Sequence, residues 1–440
     1  MIKKLAYSLG AVATAVSYQA FSTYILFFYV DVAKMPVYLA AAGMLVFAIW
    51  NAINDPVIGY LSDRTRSHWG KRLPYLILGA LPFGLIYFLL WVPPFRDLGQ
   101  VAPLFIYFVV IVCLFDGFYS MTILNWAALF PEMYPRFKER AEVNSYRQSF
   151  GFIGLLIGIA LPPLIFSRWG WGVMGGIFGA VIVLSLGAAI WGSRESAAYE
   201  RDRKLPIGQA LMATLKNRSF LAFVFANLFV QYSFLTILAA IPFFAKYVLN
   251  ADPPTIAGIL AAAFLTAIPM LFVWRQLTVR FGVRRAFLAS LAALALTLVP
   301  LFFLNDTNLI FFNSALIGAA LAGFILISDV IIADVIDEDE TKTGARREGM
   351  FFGLNAFVCR FAIFLQAASF SAIFVIAGYN PYVRTQPAEF LAGLRFLIAG
   401  LPILALMIGF VIMLFYPLVG SRLKEMRVKL KEIHRQKGII

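Results

Sequence analysis

The sequence predicts an all-α membrane protein, with twelve transmembrane helices arranged as two pseudo-symmetric six-helix bundles. Three observations predict it. The 440-residue chain is 61% hydrophobic and only 14% charged, with a mean hydropathy of +0.83. A soluble domain is about half apolar and about a quarter charged. The apolar residues fall in runs long enough to cross a bilayer, which takes roughly 20 residues. The lysines and arginines gather in alternate loops, as membrane orientation requires. The net charge of +14 therefore reads as orientation and not as a nucleic-acid surface. Disorder, collagen and coiled coil are excluded by the same composition.

The first span, 5–30, follows Lys3 and Lys4. Its apolar run reaches about Tyr29, too long for a signal-peptide core of roughly 7–15 residues, so it is read as retained. The second, 37–61, carries Asp55-Pro56. The third, 73–93, opens after the basic pair Lys71-Arg72. The fourth, 101–130, carries Asp116 and Gly117, and the fifth, 143–166, carries Pro162-Pro163. Proline and glycine are tolerated in membrane helices whose neighbours re-satisfy the backbone. The sixth, 171–193, precedes the longest polar connector, 194–218. Then come 219–248, 255–274, 285–304 (behind Arg284 and Arg285), 308–333, 348–378 (carrying Arg360) and 391–417. The expected organisation is an N-terminal bundle over 1–193, a cytoplasmic linker over 194–218, a C-terminal bundle over 219–417 and a basic tail over 418–440.

One side of the membrane collects Lys3, Lys4, Arg64, Arg66, Lys71, Arg72, Arg275, Arg280, Arg284, Arg285 and the tail. The other has little more than Lys34, Arg96, Arg168, Lys246 and Arg384. The positive-inside rule places both termini in the cytoplasm, and an even number of spans agrees. The short loops fit a bacterial inner membrane. Cys113 and Cys359 lie in apolar stretches and suggest no disulfide framework. His68 and His434 lie in basic, polar segments, which argues against a histidine-based metal or catalytic site.

The halves share a weak repeat. Trp69-Gly70-Lys71-Arg72 precedes the third span, and Phe281-Gly282-Val283-Arg284-Arg285 precedes the ninth. Charged loops over 131–142 and 337–348 follow the fourth span of each half. Two parallel six-helix repeats indicate a major-facilitator transporter, with a site expected near mid-membrane.

Three motifs carry a family resemblance: Trp50-Asn51-Ala52-Ile53-Asn54-Asp55-Pro56 running on through Asp63 to Arg72; Leu129-Phe130-Pro131-Glu132; and Ala333-Asp334-Val335-Ile336-Asp337-Glu338-Asp339-Glu340 with Thr343 to Gly349 behind it. The chain resembles the glycoside–pentoside–hexuronide:cation symporters, the group of melibiose permease, from the first span to the twelfth. It also resembles the lysophospholipid symporters of the same branch, for example at Asp116.

Asp55 is the strongest single candidate, because a carboxylate in hydrocarbon is costly and usually lines a cavity or binds a cation. Asn51 lies one turn earlier on the same face. The resemblance implies a cation site at this pair, although the family typically has Asp where Asn51 stands. Asp116 can replace the missing charge, and Ser120 matches a family hydroxyl. Asn51, Asp55, Asp116 and Ser120 then form an oxygen cluster if the second and fourth helices adjoin. A desolvated carboxylate can instead carry a proton, so the coupling ion is H+ or Na+. The plainer roles are a cap at the Asp55-Pro56 break and a packing acid at Asp116.

Arg360 is the other buried charge and matches a basic family position. Arg147 also matches a family arginine. The acids Asp334, Asp337, Glu338, Asp339 and Glu340 face the basic Arg346 and Arg347, and together with Asp63, Arg64, Arg66 and Arg72 they are expected to form a network of cytoplasmic gate ion pairs between acids and arginines of the two halves. Such pairs hold one access state closed; a solvated charged loop is the plainer reading.

In the melibiose group, acids of the first and fourth helices hold sugar hydroxyls. The matching positions here are Ala15 and Ile123, which argues against a melibiose-like substrate. The polar inventory left for substrate is Tyr18, Gln19, Asn125, Trp126, Arg147, Gln231, Asn355 and Arg360. Trp126 could stack on a sugar face. The expected function is cation-coupled symport of a sugar-class or glycoside-like solute. The alternative is symport or flipping of a lysophospholipid or other amphiphile, and a non-transporting receptor or assembly factor is a third reading. No nucleotide-binding loop, Gly-x-Ser-x-Gly elbow or histidine pair points to an enzyme. Expected partners are a small or amphiphilic substrate and the bilayer, with no nucleic acid, obligate protein partner, metal or further cofactor.

Overall fold

Continuous apolar runs leave a backbone in lipid one economical way to satisfy its own polar groups, the helix. The computed structural model describes residues 1–95, 101–134, 137–194, 214–343, 348–383 and 385–436, and all regular structure among them is helical. The apolar helices are α1 (Ile2–Val32), α2 (Val37–Ser62), α3 (Leu73–Leu89), α4 (Val101–Phe130), α5 and α6 (within Glu142–Gly192), α7 (Arg218–Tyr247), α8 (Pro253–Phe281), α9 (Val283–Phe302), α10 (Thr307–Thr343), α11 (Met350–Ile376) and α12 (Ala388–Leu414). Gly170, at φ 84°, separates α5 from α6, a left-handed conformation that a side chain resists. These helices match the twelve expected spans. A basic amphipathic helix, α13 (Gly420–Gln436), follows.

Two differences from the expected boundaries have physical causes. Helix α2 runs unbroken through Pro56, so there is no break for Asp55 to cap. The acidic motif is not a loop, because α10 stays helical to Thr343. Ile331, Ile332, Val335 and Ile336 keep a buried helical stripe through it, and the sequence has no glycine or proline until Gly344.

Two compact units divide the chain. The first comprises Met1–Asp202, Leu238–Ala261 and Ala367–Leu391; the second comprises Arg203–Ile237, Ala262–Gln366 and Ala392–Ile440. Helices α7, α8, α11 and α12 therefore pass from one unit to the other.

In the first unit α1 is the buried axis. The Tyr24 hydroxyl donates to the Ile159 carbonyl at 2.6 Å. Gly154 and Gly158 of α5 lie so close to Val12 and Val16 that an added Cβ would stand 3.0 Å and 3.1 Å from their Cα atoms. That small-residue contact is thus internal to the chain. Trp91 stacks on Trp171 at 5.4 Å. In the second unit, Ser233 of α7 donates to the Pro402 carbonyl of α12 at 3.1 Å. Trp274 of α8 donates to the Ala319 carbonyl of α10 at 2.8 Å.

Candidate functional site

Helices α2 and α4 adjoin, and their polar residues meet. The Asn51 amide donates to Asp116 Oδ1. The Asn54 amide donates to Asp116 Oδ2 at 3.1 Å and to the Asp116 carbonyl at 3.0 Å. The Ser120 hydroxyl donates to Asp55 Oδ1. Asn51, Asn54 and Asp55 share one face of α2, at i, i+3 and i+4. Asp116, Asn54 and Ser120 are 2%, 4% and 1% exposed. All four expected residues therefore lie in one cluster.

Asn54 is a further member, not among the expected cation-site residues. The signal was its spacing of three from Asn51. A second unforeseen feature is that α4 changes to a π-helix over Ser120–Leu124. Single π turns inside α-helices insert a residue and are frequent at functional sites. Here the change begins at the residue that reaches Asp55.

An apolar cleft of about 510 Å³ opens beside this cluster, lined by Trp50, Asn54, Val57, Val110, Leu114 and Phe118 among others. Asn54 is the one residue shared by the cleft and the hydrogen-bonded cluster.

The expected substrate residues fall into two groups. Trp126 is 3% exposed. Its indole N–H donates to the Tyr7 carbonyl at 3.0 Å, and Tyr7 returns a hydroxyl bond to the Trp126 carbonyl at 2.8 Å. The Arg147 guanidinium lies 4.4 Å from the ring centres of both Trp126 and Phe130. The Trp126 ring thus already has its donor and a face engaged. Asn125 donates to the Met121 carbonyl of its own helix at 2.9 Å. By contrast Tyr18, whose ring centre lies 5.8 Å from that of Tyr119, and Gln19 are half-buried. In the second unit, Gln231, Asn355 and Arg360 are half-buried. The Asn227 amide donates to Asn355 Oδ1 at 3.0 Å, and Asn227 Oδ1 is a buried acceptor without a hydrogen-bond partner.

Of the expected gate residues, Asp334 pairs with Arg427 at 3.6 Å. Glu338 pairs with Arg422 at 2.8 Å and with Lys342 at 2.9 Å. The tail helix α13 thus supplies partners to the acidic motif. Arg64 lies 4.1 Å from the Tyr60 ring centre. Arg72 stands just before α3, and Asp337 lies in α10. Arg346, Arg347 and the side chain of Asp63 lie outside the described residues.

An ionic cluster that the sequence reading missed sits at the end of α1. Asp31, 2% exposed, accepts from Lys246 Nζ, from the Tyr247 hydroxyl and, at 2.7 Å, from the Tyr379 hydroxyl. All four residues belong to the first unit. Burial, and then the charge of Asp31, hold the Tyr379 phenol protonated well above its ordinary range. Lys34 beside it donates to the Pro381 carbonyl.

The comparisons with known proteins agree with this architecture. An uncharacterised symporter of Synechocystis is 29% identical over 97% of this chain and 96% of that protein. The sodium-dependent lysophosphatidylcholine symporter 1 of Gallus gallus is 22% identical over 98% of this chain and 89% of that protein. A putative glycoside/cation symporter of Escherichia coli is 26% identical over 96% and 93%. Among solved structures, a bacterial homologue of the human lysosomal transporter Spinster superposes with a TM-score of 0.70 at 14% identity, over 94% of this chain and 96% of that one. The family model for the MFS/sugar transport proteins matches residues 6–420, and the chain belongs to that family of integral membrane transporters.

Proposed function

We propose that the protein is a cation-coupled symporter of a sugar-class or glycoside-like solute, working by alternating access. The observation that carries this is the oxygen cluster of Asn51, Asn54, Asp55, Asp116 and Ser120. Two carboxylates within one bilayer-spanning pair of helices are costly unless they serve an ion. Asp116 accepts from two amide donors. Asp55 accepts from a hydroxyl, which can itself turn and offer its oxygen to a cation.

Hard cations take oxygen ligands, and the carboxylates, the Ser120 hydroxyl and the amide oxygens supply them to sodium. A proton would need Asp55 alone. Tyr18, Gln19, Gln231, Asn355, Arg147 and Arg360 are the proposed substrate contacts. The termini lie in the cytoplasm, and the membrane is a bacterial inner membrane.

The second reading, a lysophospholipid or related amphiphile as substrate, is favoured by the apolar cleft next to Asn54. An acyl chain fits such a cleft, and a sugar does not.

Two measurements test the proposal. Purified protein is screened for thermal stabilisation by glycosides and lysophospholipids, each with sodium, potassium or varied pH, since a ligand of the folded state raises apparent stability. In proteoliposomes, Asp55→Asn should abolish uphill accumulation and leave folding largely intact. Unchanged accumulation removes Asp55 from the mechanism. Stabilisation by lysophospholipids alone moves the substrate to the second reading.

A further inference from the structure

Helix α8 ends at Phe281 and α9 begins at Val283, with Gly282 at φ 88° making the turn. From 253 to 305 the sequence carries Arg275, Arg280, Arg284 and Arg285 and no acidic residue. Arg284 has a structural task. Its Nε donates to the Met413 carbonyl at 3.1 Å, and its Nη2 donates to the Leu414 carbonyl. These are the last carbonyls of α12, and helix ends leave such groups without intrahelical partners. A guanidinium satisfies them and complements the negative end of the helix. It also fixes the arginine loop at the depth where the span ends.

The surroundings of Arg284 have two characters at once. Val279, Phe281 and Phe415 are 81%, 49% and 77% exposed. Large apolar side chains so bare belong against hydrocarbon. Arg280 and Arg285 are exposed beside them in the chain, and the Arg280 guanidinium lies 5.4 Å from the Phe281 ring centre. Neither is needed for the α12 carbonyls. Apolar groups and cations thus meet at the level of the headgroups.

We propose that this corner of α8, α9 and α12 binds an anionic phospholipid of the leaflet on the side of the termini. Arg280 and Arg285 hold the phosphate, and the acyl chains lie along Val279, Phe281 and Phe415. The charge complementarity is one-sided, since the hairpin has no acid to compete. Basic sites at the membrane surface attract anionic lipid by about fivefold per cation, so two cations give roughly a twenty-five-fold preference over a neutral lipid.

The test uses the full-length protein in detergent, titrated with phosphatidylglycerol or phosphatidylcholine. Lipid retention is read by native mass spectrometry, and stability by thermal unfolding. The wild type should retain phosphatidylglycerol in preference and be stabilised by it. The double variant Arg280→Gln/Arg285→Gln, with Arg284 kept, should lose the preference by roughly twenty-five-fold and keep its helical content. A control pair on other loops, Arg66→Gln/Arg194→Gln, should retain it. Equal retention of the two lipids by the wild type overturns the proposal. So does an unchanged preference in the double variant, or an equal loss in the control pair. Inorganic phosphate and a soluble polyanion are run alongside. If either stabilises the wild type as well as the lipid does, the occupant is not a lipid.

Discussion

Asp116 sits 2% exposed in a membrane helix, and two asparagine amides donate to it. A hydrogen bond to a charged group is worth about 1.5–3 kcal/mol. Asn54→Ala should therefore lower stability by about that much, read as a fall in the unfolding midpoint, and weaken the ion dependence of transport. A larger contrast separates Trp126 from Gln19. Trp126 is locked to Tyr7 and covered by Arg147, so Trp126→Ala should cost about 3–5 kcal/mol of stability. Gln19→Ala should cost about 0.5 kcal/mol or less and instead weaken substrate binding. If Trp126→Phe keeps full stability yet loses substrate, the stacking role stands after all. Asn51, Asp55, Asp116 and Ser120 could be read from the sequence because polar groups are conspicuous in apolar helices and their spacing fixes a face. Asp31 could not, because it closes an apolar run as an ordinary interfacial acid would. Its partner Lys246 lies 215 positions away.

The helices themselves were legible for the same reason that the bundle exists: each apolar run had to satisfy its own backbone. What the sequence hid were departures inside helices. The π segment at Ser120–Leu124 and the extension of α10 to Thr343 depend on packing, and no local residue pattern announces them. The end of α1 is a further case. A π segment, Phe28–Val32, presents Asp31 to Lys246, Tyr247 and Tyr379. These bonds tie the end of α1 to α7 and to the segment after α11, so any movement that separates those segments must break them. Asp31→Asn keeps the shape but surrenders the charge-assisted bonds. It should lower stability by about 1–3 kcal/mol and raise the rate at which an impermeant maleimide labels a cysteine placed at Ala33. Unchanged labelling with lowered stability would leave Asp31 a packing residue.

For the molecule as a whole, direction matters most, since an inward cation gradient drives uptake only in one orientation. The arginine-rich α8–α9 turn, the basic helix α13 and the first turn of α1 lie at one end of their spans; Asp31, Lys246 and the segment after α11 lie at the other. In the proposed orientation, which follows the positive-inside rule, the first set faces the cytoplasm. Ser421 and Thr385 are exposed representatives of the two ends, while Cys113 and Cys359 lie half-buried within spans. In intact cells, Thr385→Cys should react with an impermeant maleimide at once, and Ser421→Cys only after the membrane is breached. The reverse pattern would invert the protein. The Asp31 cluster would then face the cytoplasm, and the acids of α10 with their α13 arginines would face the outside.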